Sequence, residues 1–258
     1  MDVSIIIVSF NARADLERCL ASLRAAPPSA SHEILVVDNA STDGSAGASR
    51  AAGVTVIENT TNVGFARANN IGIRASAGTN LLLLNSDTMV PPGAIDRLLA
   101  ELVRNPNVAV VGPRLVDRDG RAELSFGAMI GPLNELRQKR RARGDVESLT
   151  RQRRYPDWVS GACLLVRRAD AEAVGLFDER YFMYAEDVDF CAAIRARGRR
   201  ILFTPDVEIT HVRGRSAATA AAATARAYRR SQVAFYEKHH PAWAPLLRLY
   251  LRVRGADM

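Results

Sequence analysis

Apolar and polar positions alternate along the first half of the chain in two rhythms. Short, mostly apolar runs lie at residues 3–8, 33–37, 54–57, 81–84 and 108–111. Such runs are typical of strands buried on both faces of a parallel sheet. Between them, apolar residues recur at helical spacing. Repeated strand–helix units of this kind predict an α/β fold with a mostly parallel central sheet flanked by helices.

The second half of the chain follows a less regular pattern. An arginine-rich segment at about residues 131–157 has little periodic hydrophobicity, and we predict a mobile loop there. Later segments predict strands at 162–166, 201–203 and 207–212, and helices at 169–174, 187–197 and 217–236. We therefore expect one domain over residues 1–215, followed by a basic helical tail at 216–258.

Composition limits the class of protein. The chain has 258 residues and a hydrophobic content of 48%, which is enough for a packed core. No apolar stretch reaches the roughly 20 residues of a membrane-spanning helix, and the N-terminal run lacks the pattern of a signal peptide. We therefore expect a cytoplasmic protein. Cys19, Cys163 and Cys191 lack metal-ligand spacing, so we expect buried, reduced thiols.

The net charge of +7 is concentrated in the second half. Residues 1–130 carry 11 basic and 13 acidic side chains, whereas residues 131–258 carry 24 and 15. A basic excess suits nucleic acid, an anionic membrane or a phosphorylated substrate. No nucleic-acid recognition motif or interleaved aromatic platform accompanies the charge, so we expect no nucleic-acid partner.

An anionic membrane surface is a second possible binding partner of these basic residues. Residues 137–154 and 226–254 could lie on an anionic bilayer, with Trp243, Leu247 and Tyr250 at the interface. The alternative is a solvated arginine-rich surface with a packed terminal helix. The sequence leaves both interpretations open.

Acidic residues follow two of the predicted strands. Asp38 comes directly after the run at 33–37, and Asp87 closely follows the run at 81–84. Ligands of α/β sheets collect at the carboxyl ends of the strands. A carboxylate at Asp38 can accept the imide N–H of uracil or thymine, and Asp87 suits Mg²⁺ or Mn²⁺ carrying a diphosphate. Either residue could also be a turn or helix cap. The pair predicts a nucleotide–metal site.

A second acidic group begins a predicted helix after an aromatic stretch. It comprises Glu186, Asp187 and Asp189. One of these acids could be a general base with a raised pKa, although acids at a helix start also complement the helix dipole. Further along, His211 closes a predicted strand and could contact a metal or a phosphate. The residues alone do not choose among the three acids.

Taken together, these segments resemble glycosyltransferase family 2, the inverting enzymes of GT-A fold. The matching stretches are 3–11, 36–44, 62–66, 82–87, 161–162, 177–179 and 186–189. The resemblance implies a GT-A (Rossmann-like) fold in which Asp187 is the catalytic base, and Asp87 and His211 hold the metal. It also implies that the nucleotide sugar is bound by Ser9, Asn11, Asp38, Asn39, Asn62, Gly64, Asn85, Ser86, Asp87, Gly161 and Glu186.

One departure from the family pattern narrows the expected donor. Asn85 stands where the metal motif usually has an acid, and this variant looks most like the rhamnosyltransferase-like branch. That branch implies dTDP-L-rhamnose as donor. The implied acceptor is a saccharide, free or linked to polyprenyl diphosphate, used in cell-surface polysaccharide synthesis at the inner face of the cell membrane.

Two other functions are alternatives to glycosyl transfer. A nucleotidyltransferase that makes sugar nucleotides should carry a glycine-rich, basic phosphate loop after its first strand, and residues 9–13 lack one. A non-catalytic sugar-nucleotide-binding module would keep Asp38 but would have no need of Asp187. The leading hypothesis is glycosyl transfer by a single displacement with Asp187 as the base, and Glu186 and Asp189 are the rival candidates for that role.

Overall fold

The computed structural model describes residues 1–132, 134, 144–212 and 221–254, and it describes residues 221–223 by their backbone only. The described strands are β1 Val3–Ser9, β2 His32–Asp38, β3 Thr55–Glu58, β4 Asn80–Asn85, β5 Thr88–Met89, β6 Val108–Val116, β7 Ala122–Glu123, β8 Phe126–Gly127, β9 Trp158–Val159, β10 Cys163–Arg167 and β11 Arg200–His211. The described helices are α1 Arg13–Ala25, α2 Ser45–Ala51, α3 Phe65–Ala75, α4 Ala94–Arg104, α5 Val146–Thr150, α6 Arg168–Ala173, α7 Glu186–Ala196, α8 Ala221–His239 and α9 Ala244–Val253.

The described strands form a nine-stranded sheet in the order β3-β2-β1-β4-β10-β6-β11-β5, with β7 beside β6. Strand β1 is parallel to both β2 and β4. In this register Ser9 lies opposite Asp38, and Val8 lies opposite Asn85. The carboxyl ends of the three strands therefore meet at one edge of the sheet, as the sequence predicts.

Strand β10 interrupts the parallel arrangement. It is antiparallel to both β4 and β6, which otherwise share their direction with β1, β2, β3 and β11. Because Cys163 pairs with Leu84, the start of β10 lies at the edge where β4 ends. The carbonyl of Ala162 accepts a hydrogen bond of 2.9 Å from the Asn85 N–H. The antiparallel strand thus delivers the residues before it to the same edge.

Both faces of the sheet are covered, as the apolar runs predict. On one face Ile5 and Ile7 pack with α1 and α4, and on the other Ile6 and Leu83 pack with α3 and α7. Full burial of one such side chain contributes about 1.5–3 kcal/mol. The three cysteines are buried and free, as expected. The strands that carry the candidate site are therefore held rigidly from both sides.

The predicted loop at about 131–157 is wrong in its second part. Residues 133 and 135–143 lie outside the described residues, but α5 follows. Asp145 caps this helix by accepting a hydrogen bond of 2.9 Å from the Ser148 N–H. Arg114, buried at the end of β6, pairs with Glu147 and donates to the Thr150 hydroxyl at 3.2 Å. A buried cation reaching from the sheet orders this segment.

The two late strands predicted at 201–203 and 207–212 are one strand, β11. Its register against β6 shifts between Thr204 and Glu208, on either side of Pro205. Because proline has no N–H, Pro205 cannot donate a backbone hydrogen bond to a neighbouring strand, and the pairing with β6 is interrupted at this point. Pairing resumes at Glu208, so the strand continues. The predicted boundary at 215–216 lies in the segment 213–220, outside the described residues.

The tail is helical, as predicted, and its first helix packs on the domain. Phe235 of α8 is buried against Tyr181 and Val188. Among the described helices, none combines the length and the apolar character needed to cross a bilayer.

Candidate functional site

The first part of the site is an unsatisfied carboxylate at the end of β2. Asp38 is buried, and its Oδ2 accepts a hydrogen bond of 2.9 Å from the Ser41 N–H. Its Oδ1 has no partner among the described residues, and neither does the buried hydroxyl of Ser9 opposite it. A buried polar oxygen without a partner costs about 1–3 kcal/mol, so such atoms usually meet a ligand or water. An acceptor beside a hydroxyl suits the edge of a nucleotide base.

The loop after β1 lies beside this carboxylate. Asn11 has a positive φ of 48°, and its N–H donates to the Ser41 hydroxyl at 2.9 Å. Its side-chain oxygen accepts from the Thr42 N–H at 2.8 Å. A cavity of about 360 Å³ opens here, lined in part by Arg13 and Asp43. The loops after β1 and β2 are therefore fastened together next to open space.

Asn39 and Asn62 hold a loop together. Asn39 donates to the Asn62 side-chain oxygen at 2.8 Å and to the Gly64 carbonyl at 3.3 Å. Its own side-chain oxygen accepts from Asn59 at 3.0 Å and from the Val63 N–H at 3.1 Å. This amide is fully used within the protein. The direct contacts of Asn39 and Asn62 with a nucleotide remain predictions, whereas their structural role is visible.

Gly64 brings the start of α3 against a distant segment. Its φ is +86°, and a Cβ at this position would lie 2.5 Å from the Phe182 carbonyl oxygen. That oxygen accepts a hydrogen bond of 2.6 Å from the Phe65 N–H. Tyr184 and Ala185, directly before the acidic cluster, also have positive φ values of 73° and 65°. Left-handed backbone at non-glycine residues is costly and concentrates at functional sites.

The second part of the site lies after β4. Asn85 is the last residue of β4, Ser86 and Asp87 form the turn to β5, and all three are half-buried. Asp87 Oδ1 lies 3.3 Å from Nε2 of His211, and the Asn85 side-chain amide lies 3.4 Å from the same nitrogen. The structure therefore brings together the two residues predicted to hold a metal.

Glu123 is a further member of this group that the sequence did not reveal. Its carboxylate oxygen Oε2 lies 3.1 Å from Nδ1 of His211. Glu123 belongs to the two-residue strand β7, which follows an exposed turn and shows no periodic pattern. A carboxylate on the second ring nitrogen fixes the orientation of a metal-binding imidazole.

The carboxylates of Asp87 and Glu123 make the surroundings of His211 negative, which favours a positive charge at this position. Burial, the largest influence, disfavours the charged imidazole, but hydrogen bonds to Asp87 and Glu123 outweigh it and raise the pKa of His211 to about 9. No group of three or more His, Cys, Asp or Glu side chains encloses a metal within the described part of the chain. Mg²⁺ is usually held by one or two carboxylates together with substrate phosphates and water. The donors present fit an ion that arrives with a diphosphate.

The third part of the site is the first turn of α7. Asp187 is half-buried, and its Oδ2 accepts a hydrogen bond of 2.9 Å from the Gly161 N–H. Gly161 directly precedes Ala162, whose carbonyl is bonded to Asn85. Asp187 is therefore connected through one short segment to the carboxyl end of β4. The residues numbered 38, 87 and 187 meet around one edge of the sheet, as predicted.

Burial raises the pKa values of two adjacent acids in this turn. Glu186 is buried and its Oε2 has no partner among the described residues. Burial, followed by the charge of Asp187, raises the pKa of Glu186 well above its ordinary value. Burial also raises the pKa of Asp187, while hydrogen bonds from the backbone at Gly161 and Val188 oppose the rise. Perturbed carboxylates in a shared site are typical of proton acceptors in catalysis.

Asp189 has a different task. Its Oδ2 accepts a hydrogen bond of 2.8 Å from Lys238, and its Oδ1 lies 2.6 Å from Nε2 of His239. The Tyr181 hydroxyl also reaches Oδ1 at 3.3 Å. With both oxygens occupied, Asp189 anchors α8 to α7. This geometry leaves Glu186 and Asp187 as the candidates for the base.

Comparison with known proteins places this geometry in a family. A family model described as Glycosyl transferase family 2 matches residues 4–172. An N-acetylglucosaminyl-diphospho-decaprenol L-rhamnosyltransferase of Mycobacterium tuberculosis is 32% identical over 297 residues, covering 98% of this chain and 93% of the relative.

Solved structures agree on the fold. The mannosyltransferase PcManGT from Pyrobaculum calidifontis, in complex with GDP-Man and Mn²⁺, superimposes with a TM-score of 0.67 at 20% identity, covering 95% of this chain and 68% of its own. GalNAc-T7 with UDP, GalNAc and Mn²⁺ has a TM-score of 0.64 at 19% identity, covering 82% of this chain and 43% of its own. The expected GT-A fold is confirmed.

Proposed function

The chain belongs to glycosyl transferase family 2, and we propose that it moves L-rhamnose from dTDP-L-rhamnose to a hydroxyl of a saccharide carried on polyprenyl diphosphate. The observation that carries the proposal is the convergence of Asp38, Asp87 and Asp187 at one sheet edge. The mycobacterial relative supports the transferred sugar and the kind of acceptor, because its name describes an L-rhamnosyltransferase acting on N-acetylglucosaminyl-diphospho-decaprenol.

In this proposal the base of the nucleotide lies at the end of β2. The free Oδ1 of Asp38 accepts the imide N–H of thymine, and the hydroxyl of Ser9 completes the contact. Asn39 and Asn62 keep the adjoining loop in place. Uracil has the same imide N–H, so this contact does not distinguish a dTDP-sugar from a UDP-sugar. In this proposal, selection of rhamnose depends on the part of the site that binds the sugar.

Asp87 and His211 would hold the divalent cation, and Glu123 would orient His211. When bound, Mg²⁺ or Mn²⁺ offsets the negative charge that builds up on a departing diphosphate. Asn85 has no charge to offer and takes a polar contact in place of a second carboxylate. With few protein charges present, the ion would depend on the diphosphate for its remaining ligands.

Asp187 takes the proton from the acceptor hydroxyl as that oxygen forms a bond to the anomeric carbon. The bond between this carbon and the diphosphate oxygen breaks on the opposite face, so configuration inverts. The Gly161 N–H fixes one carboxylate oxygen of Asp187, which supplies the orientation that proton transfer needs. Glu186, deeper in the protein, is the alternative base.

The remaining proposals concern the setting of the reaction. Residues 1–215 form the catalytic domain, and residues 216–258 form the tail. The enzyme works in the cytoplasm, at the inner face of the cell membrane where a lipid-linked acceptor is presented, in cell-surface polysaccharide synthesis.

A donor panel tests the proposal. The melting temperature is measured with dTDP-, UDP- and GDP-sugars, each with and without Mn²⁺, because a ligand that binds the folded state raises it. We expect dTDP-L-rhamnose with Mn²⁺ to give the largest shift, and Asp38→Ala to lose it. Incubation with a GlcNAc-diphospho-lipid analogue should then yield an inverted rhamnoside. Preference for another donor refutes the rhamnose assignment, and binding without transfer favours a non-catalytic module.

A further inference from the structure

Helix α9 presents an apolar stripe that the rest of the described chain does not cover. Five large side chains are between 50% and 80% exposed. They are Trp243, Leu246, Leu249, Tyr250 and Val253, which we call the α9 stripe. Their spacing of three and four residues places them along one side of the helix. Scattered exposed apolar residues are normal, but a continuous stripe of this size usually marks an interaction surface.

The opposite side of the helix is already in use. Ala244 and Leu251 are buried and Leu247 is half-buried. Leu247 therefore lies between the buried face and the α9 stripe, and its predicted place at a membrane interface with Trp243 and Tyr250 stays a prediction. Because α9 already has a packed face, the stripe is left over after the helix has folded.

The charges beside the stripe point to an anionic partner. At about 100° per residue, Arg252 and Arg254 flank the stripe on its two sides. Arg254 also stacks over the Tyr250 ring, 5.3 Å from its centroid. Neither arginine pairs with a carboxylate among the described residues, and α9 itself carries no acid. Arg248, by contrast, points to α8 and pairs with Glu237.

We propose that the α9 stripe docks on the surface of an anionic lipid bilayer, with Arg252 and Arg254 at the phosphate headgroups. An aromatic and aliphatic stripe flanked by arginines is the pattern of a helix that lies in the membrane interface. Arginine stems bury their methylene groups along the apolar layer while the charged ends stay with the headgroups. Anionic headgroups attract such charges electrostatically.

The proposal deepens the proposed function, because it brings the enzyme to the place where a lipid-linked acceptor is found. Helix α9 packs on α8, and α8 is bonded through Lys238 and His239 to Asp189 of α7. Docking of the stripe therefore places the helix that carries Asp187 near the bilayer. The docking surface consists of residues of α9 and its N-terminal flank, whereas its use in bringing the enzyme to its acceptor rests on the proposed function.

Flotation of the full chain with vesicles tests the proposal. Vesicles of phosphatidylcholine alone are compared with vesicles that also contain phosphatidylglycerol, at physiological salt. We expect binding to the anionic vesicles only. Arg252→Gln with Arg254→Gln should weaken partition about thirtyfold, which corresponds to about 1 kcal/mol per charge. Leu246→Ser with Leu249→Ser should weaken it by roughly tenfold or more.

Two matched controls keep the interpretation specific. Arg248→Gln removes a charge that faces α8, and Val103→Ser removes a side chain of α4 that is 76% exposed. Both should bind vesicles nearly as the unchanged protein does. All variants should keep their melting temperature, because the replaced groups lie on the surface.

Three results would overturn the proposal. The first is that the unchanged protein does not float with anionic vesicles. The second is that the variants with substitutions in the α9 stripe float as well as the unchanged protein. The third is that the unchanged protein sediments as a dimer and that only these variants sediment as monomers. The last result would identify a second copy of the chain as the occupant. The donor-induced rise in melting temperature is measured in parallel and should be unchanged in the stripe variants. A failure of vesicle binding is thereby distinguished from a failure of the proposed reaction.

Discussion

The backbone N–H of Gly161 donates a hydrogen bond of 2.9 Å to the Oδ2 atom of Asp187. The two residues are 26 positions apart, and the bond joins the segment before β10 to the first turn of α7. Since β10 runs antiparallel to β4, this segment arrives where β4 ends. The bond therefore sets the carboxylate of Asp187 at the edge that also holds Asp38 and Asp87.

Replacing Asp187 with asparagine tests the assignment of the base. Asp187→Asn keeps the size of the side chain but cannot take a proton, so kcat should fall by about a hundredfold or more. Donor binding, measured by the rise in melting temperature, should be largely retained. Asp119→Asn, in an exposed turn, is the control and should leave kcat unchanged. Near-normal turnover of Asp187→Asn would move the role of base to Glu186.

Replacing Glu186 with glutamine should change the pH dependence of stability. The pKa of Glu186 is raised above its ordinary 4.5 in the folded state. Between pH 4.5 and the raised pKa, the folded protein holds a proton that the unfolded chain has released. The free energy of unfolding therefore falls as pH rises through this window, by about 1.4 kcal/mol for each unit of difference.

Glu186→Gln cannot ionise, so it should escape that loss. At pH 7 the variant is expected to be more stable than the unchanged protein, and the difference should vanish toward pH 4.5. Chemical denaturation at several pH values measures both trends. Parallel stability curves for the two proteins would show that the buried carboxylate carries no such penalty.

Glu123→Gln should lower the affinity for the divalent cation, although Glu123 is not itself a proposed metal ligand. The substitution removes the negative charge at Nδ1 of His211, and loss of such a partner typically lowers metal affinity about 10- to 100-fold. Calorimetric titration of dTDP in the presence and absence of Mn²⁺ measures the effect. Only the Mn²⁺-dependent part of the binding should suffer.

The control for Glu123→Gln is Glu58→Gln, an exposed carboxylate that pairs with Arg50. It should leave the titration unchanged. If Glu123→Gln also binds Mn²⁺ and dTDP normally, Glu123 has no orienting role.

Gly64→Ala should be far more harmful than a comparable change at Gly53. Both glycines have positive φ values, +86° and +73°. Alanine in the left-handed region costs about 1–2 kcal/mol, and Gly64, with a ψ of 171°, lies in a region that essentially only glycine adopts. At Gly53 a Cβ meets nothing within 4 Å, whereas at Gly64 it would collide with the Phe182 carbonyl. Urea denaturation should therefore show at least twice the loss for Gly64→Ala. Equal losses would mean that the segment around Phe182 moves aside freely.

The sequence predicted the part of the site that depends on local pattern. The apolar residues of β1, β2 and β4 are close together in the sequence, and in a parallel sheet the position of the residue after each strand follows from topology. Asp38 and Asp87 could be placed for this reason. The helix start at Glu186 was likewise visible, because acids before an apolar periodic segment favour a helix N-terminus.

The sequence did not predict the contacts made over long separations by short elements. Glu123 lies in a strand of two residues, and its partner His211 is 88 positions away. The choice between Asp189 and its neighbours was equally hidden, because it depends on where Lys238 and His239 dock. No local preference encodes such pairings, which follow only from the packing of complete helices and strands.

The attachment of α8 to Asp189 has a practical consequence for handling the enzyme. A chain cut short just before Lys238 would keep every side chain proposed to contact the donor. It would, however, remove the Lys238 ammonium and the His239 imidazole, which both contact the buried carboxylate of Asp189. Helix α7, which carries the proposed base Asp187, would then lose these contacts with α8. Truncations chosen from the family match, which ends at residue 172, would remove that helix altogether. Preparations intended for assays should therefore extend through His239, with any affinity tag placed at the other terminus.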